Sequence, residues 1–239
     1  YRGYFDRGEA ARFAERLAQK DYEVTTVPAV AYSTLGWFDD PLLDTMLRLD
    51  DIRTAAFIFH EMAHQDLYVS GDTAFNEAYA NFIEDRGVEL WLRATGQTDR
   101  LPEWRERQAA AWQFNALLQS ARERLASEYR SGHSEAIMRR NKAAIFDRLT
   151  ADYQELVEGD WQGRDLFAYW FGRELNNARL AMVASYHGGA CAFEALFNES
   201  GEDFRRFREQ AAKKALLPRE ARERWLDQPC EVIAPGPDL

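Results

Sequence analysis

The chain has 239 residues, 46 % of them hydrophobic and 29 % charged, and carries a formal net charge of −10. That length and balance exclude a disordered chain and allow a sizeable buried core, while the acidic excess excludes a nucleic-acid partner, whose phosphates need a dense basic patch. No apolar run approaches the roughly 20 residues that cross a bilayer, which excludes a helical membrane span.

The N-terminus opens at Tyr1-Arg2-Gly3-Tyr4, without an initiator Met or a signal-like pattern, and reads as a form that has lost an upstream segment. Residues 8–20 carry Ala10, Phe13 and Leu17 at helical spacing, which predicts a short amphipathic helix. Residues 23–32 form the strand candidate, with Val24, Thr25, Thr26, Val27, Val30 and Tyr32; Pro28 assigns it to a sheet edge. A turn follows through Gly36 and Trp37, and Pro41 opens a short helix. Residues 52–65 read as a helix capped by Asp50 or Asp51. Gly71-Asp72-Thr73 then breaks the chain and caps a helix that runs past Leu92 towards Gly96.

Beyond Gly96 the pattern is helical almost throughout, with candidates over 103–129, 135–157, 165–185 and 204–216. The expected fold is mainly α (α+β): residues 1–96 as a core with its small β element, and 97–239 as a helical lobe completing the same domain. Cys191 and Cys230 are the only cysteines. Either a disulfide or a buried thiol suits Cys191 in its apolar stretch.

The chemistry concentrates in His60-Glu61-Met62-Ala63-His64. Residues four apart lie one above the other on a helix, so both imidazoles can share one metal ion. Glu61, one position after the first of them, stands where a general base can take a proton from water. A catalytic zinc usually takes three protein ligands. Glu77 falls on the next helix, and a short turn around 69–72 makes the two helices antiparallel, so Glu77 can face back towards His60 and His64. Glu84 and Asp85 are the rival third ligands. Asn81, one turn after Glu77, is the expected hydrogen-bond partner of a ligand histidine.

This His, His, Glu set resembles that of the thermolysin-like zinc peptidases, with a shorter connection before the Asn76-Glu77 pair. A closer resemblance lies in Ala31-Tyr32-Ser33-Thr34-Leu35-Gly36-Trp37-Phe38-Asp39-Asp40-Pro41, Phe59 to Gln65, and Gly71 to Glu77. These runs resemble a bacterial family described as putative aminopeptidases, and the similarity covers most of the chain. The resemblance implies one Zn²⁺ per chain, a peptide substrate, a periplasmic or envelope location, and a lipid anchor upstream of this sequence. In thermolysin-like enzymes an edge strand pairs with the substrate backbone, which points to Ala31 and Tyr32 as substrate-binding residues. Tyr186 and His187, before Gly188-Gly189, are the candidate donors to the developing oxyanion. Two other readings of the motif are a zinc scaffold without turnover and a hydrolase of a non-peptide amide. No amine-anchoring residue stands out among Asp39, Asp40, Glu174 and Glu194.

Overall fold

A computed structural model describes residues 2–27, 50–183 and 189–227. The described residues are mainly helical and contain no strand. Contacts group the chain into two compact units, each discontinuous in sequence: 1–28 with 106–184, and 29–105 with 185–239. The sequence reading divides the chain at residue 96 instead.

The first unit begins with α1 (Arg7–Ala18), capped by Asp6, whose carboxylate accepts from the Glu9 amide. Residues 23–27, the described part of the strand candidate, form no ladder. Two of their carbonyls are taken by side chains: Asn176 donates to the Val24 carbonyl at 3.0 Å and Arg173 to that of Thr26 at 2.6 Å. Carbonyls taken by side chains in this way are not available to a strand partner. The rest of the candidate, Ala31 and Tyr32 included, lies outside the described residues, as does the short helix expected after Pro41.

The body of this unit is a helical hairpin. It pairs α4 (Leu101–Tyr129), which enters from the other unit, with α5 (Glu135–Glu158). Phe114, Leu118, Ala121 and Leu125 recur at helical spacing on α4 and bury against Phe146, Leu149, Tyr153 and Val157 of α5. The expectation of one continuous helix over 165–185 is corrected here. The chain forms α6 (Ala168–Phe171), turns, and resumes as α7 (Asn177–Val183). The buried Arg179 guanidinium donates to the Trp170 and Tyr169 carbonyls. Those are carbonyls that helix continuation would have used, so the side chain of α7 ends α6.

The second unit is built on α2 (Asp51–Asp66) and α3 (Thr73–Ala94). Asp50 caps α2 through the Arg53 amide, and Asp72 caps α3 through the Phe75 amide. The turn between them is clamped by Asn76, whose buried side chain accepts from the Val69 N–H at 2.8 Å and donates to the Val69 carbonyl at 2.9 Å. Gly87 lets the helices close: a Cβ there would stand 2.8 Å from Phe59 Cγ. Towards the open end of the pair, Ile52 and Ala56 pack with Val88, Leu92 and Trp104.

The opposite face of α3 buries Phe75, Tyr79 and Phe82 against α8 (Ala190–Glu199), α9 (Phe204–Ala215) and α10 (Arg219–Leu226). The Tyr79 and Phe207 rings stack at 6.0 Å, and Phe193 meets both edge-on. Of these last helices, only α9 is anticipated by the sequence pattern.

Candidate metal centre

His60 and His64 project from the same face of α2 and Glu77 from α3, so the clamped turn decides how they meet. His60 Nε2 lies 3.3 Å from Glu77 Oε2, and His64 Nε2 lies 3.7 Å from Glu77 Oε1. The imidazoles stand nearly perpendicular, with centroids 4.9 Å apart. One ligand atom from each of the three residues falls within 4.8 Å of the others, and this is the metal-capable group among the described residues. All three side chains are 15 % exposed or less.

Two buried atoms here lack a hydrogen-bond partner among the described residues, His64 Nδ1 and Glu77 Oε2. The Glu77 oxygen is near His60 yet makes no hydrogen bond of good geometry. A buried carboxylate oxygen left this way costs free energy unless something positive meets it. The donor set, two imidazole nitrogens and one carboxylate, suits zinc or another borderline divalent ion.

The other ring nitrogen of His60, Nδ1, lies 3.0 Å from Glu84 Oε2. Burial works against a charged imidazole at His60, but the facing carboxylates of Glu77 and Glu84 outweigh it and push the group up to about 9. His64 moves down, first because it is buried and then because the His60 charge faces it.

Glu84 was expected as a rival ligand; it stands instead on the far side of the His60 ring from Glu77. Glu77 and Glu84 are two helical turns apart, and that spacing is the signal that places both on the α3 face turned to α2. Asp85, the other rival, accepts from the Trp104 indole at 2.8 Å. Glu61 and Asn81 are both half-buried on their helices. Glu194, one of the carboxylates considered as an amine anchor, is engaged by Arg86, with Nε 3.1 Å from Oε2 and Nη2 on Oε1. Tyr186 and His187 lie outside the described residues, but Gly189 shortly after them is described. It takes a left-handed φ of 95° and packs so closely on α3 that a Cβ would stand 3.1 Å from that of Ala78, the neighbour of Glu77.

The helical pair thus presents two histidines and a carboxylate, all partly buried, as a donor set that could hold a metal ion. The chain belongs to the family described as putative aminopeptidase, whose model matches residues 1–226. No curated protein and no solved structure matches the chain.

Proposed function

We propose that the protein is a zinc-dependent aminopeptidase that holds one Zn²⁺ with His60, His64 and Glu77 and hydrolyses peptide bonds with Glu61 as general base. The observation that carries the reading is the partly buried Glu77 carboxylate facing both Nε2 atoms, with its buried Oε2 left unsatisfied among the described residues. The family's description supplies the peptidase class and the preference for a free N-terminus.

Bound zinc would supply Lewis acidity towards the scissile carbonyl and lower the pKa of water towards ~7. Glu61, beside His60 in the chain, takes the proton of the attacking water and returns it to the leaving amine. Tyr186, with His187 as the second choice, donates to the oxygen that gains charge. Ala31 and Tyr32 pair with the extended substrate backbone. Asn81 steadies the centre from one turn beyond Glu77. Cys191 is disulfide-bonded, which supports a periplasmic or envelope location, because such bonds persist in oxidising compartments.

Metal analysis and two reporters test this together. The expected result is one zinc per chain, hydrolysis of a free aminoacyl reporter, little hydrolysis of its N-acetylated form, and loss of activity on chelation that zinc reverses. Cleavage of the blocked form instead would make the enzyme an endopeptidase. Protein that binds zinc but cleaves neither would be a scaffold or a hydrolase of another amide. Unchanged zinc affinity in Glu77→Ala would remove the third ligand.

A further inference from the structure

A histidine can give a metal only one ring nitrogen, and what the other nitrogen meets decides which one is free and how the ring is turned. The two histidines of the centre differ in this respect. His64 Nδ1 is buried with no hydrogen-bond partner among the described residues. His60 Nδ1 lies 3.0 Å from Glu84 Oε2, and its Nε2 faces Glu77 on the opposite side of the ring. Glu84 sits in a well-braced turn of α3. Its neighbour Asp85 is held by the Trp104 indole, Gly87 lies hard against Phe59 of α2, and Val88 is fully buried.

We propose that Glu84 is the positioning residue of the centre: its carboxylate accepts the Nδ1 proton of His60 and so fixes the ring with the Nε2 lone pair aimed at the metal. The inference rests on the reading of His60, His64 and Glu77 as metal ligands. The hydrogen bond removes rotational freedom that the ring would otherwise lose on binding. The negative charge also makes the imidazole a better donor to the metal. His60 is thereby the pre-set ligand.

The test uses the full chain with Glu84→Ala and Glu84→Gln. Zn²⁺ affinity is measured by competition with a chromophoric chelator, and the Co²⁺-loaded proteins are compared by visible absorption. Nitrogen-edited NMR of the metal-free proteins follows the hydrogen-bonded Nδ1 proton of His60. Glu84→Ala is expected to weaken zinc about 10- to 100-fold, to alter the cobalt spectrum, and to lose that proton signal. Glu84→Gln keeps an acceptor oxygen without the charge, so it retains the signal and falls between in affinity. Thermal unfolding of the metal-free proteins checks folding, and if Glu84→Ala fails to fold, the affinity loss in Glu84→Gln decides. Zinc affinity within about threefold of the unsubstituted chain, with the cobalt spectrum and proton signal unchanged, would overturn the proposal. If the unsubstituted chain itself binds no zinc, the metal reading has failed instead.

Discussion

Glu61 and Tyr186 divide the proposed chemistry between proton transfer and charge stabilisation, and each substitution isolates one of the two. Glu61→Gln keeps the shape of the side chain and leaves the ligand atoms of His60, His64 and Glu77 in place. A general base contributes typically about 10²–10⁴-fold, so kcat should fall by that order while zinc content stays at that of the unsubstituted protein. Equal turnover in the two proteins would remove Glu61 from the mechanism. Tyr186→Phe tests the oxyanion donor, whose hydrogen bond strengthens only as charge develops on the substrate oxygen. Its loss should lower kcat by about 10²–10³-fold with KM and zinc content nearly unchanged. A raised KM at constant kcat would instead mark Tyr186 as a substrate-binding side chain.

At the scale of elements, the α2–α3 pair is the instrument that turns a sequence motif into a site. Helical periodicity aligns His60 with His64, but only the approach of the second helix brings Glu77 to them. That approach depends on the Asn76 clamp at the turn and on Gly87 against Phe59 further along. Gly87→Val puts two methyl groups beyond a Cβ that would already stand 2.8 Å from Phe59 Cγ. Overpacking of this kind costs about 1–3 kcal/mol, and denaturant unfolding should register it as a lower midpoint at unchanged slope. Adding Phe59→Ala opens the space again, so the double substitution should lose less than the sum of the two single ones. Strict additivity would show that the close approach is not what limits the helix pair.

For the second unit as a whole, the C-terminal helices are part of the structure that carries the centre. Arg222 of α10 donates through Nε and Nη2 to Asp72 Oδ2, each at 2.7 Å, and also to the Ala215 and Leu217 carbonyls. Both charged side chains are below one-tenth exposed, and Asp72 also caps α3. Arg222→Ala would leave that carboxylate buried without its counter-charge, a loss of about 3–5 kcal/mol for pairs of this kind. The expected outcome is a large drop in unfolding free energy accompanied by weaker zinc binding, because the start of α3 leads directly into Asn76 and Glu77. A drop below about 1 kcal/mol would mean that Asp72 finds water instead.

The sequence by itself determined the local terms. Asp50 or Asp51 and the Gly71-Asp72-Thr73 run announce the starts of α2 and α3, and apolar spacing announces α1, α4, α5 and α9. Four-residue spacing puts His60 and His64 on one face, because helix geometry is a property of the chain alone. What only the tertiary structure decided depends on partners distant in the chain. Residues 23–27 have strand composition, yet Arg173 and Asn176 take their carbonyls. The predicted helix over 165–185 breaks because Arg179 reaches back to the carbonyls that end α6. α8 is too short and evenly apolar for a clear period, and α10 too polar; packing on α3 reveals why each is there. Glu84 reads from the sequence as a rival third ligand beside Glu77. The opposite ring edge of His60, brought against it by the neighbouring helix, is what sets it apart from a ligand.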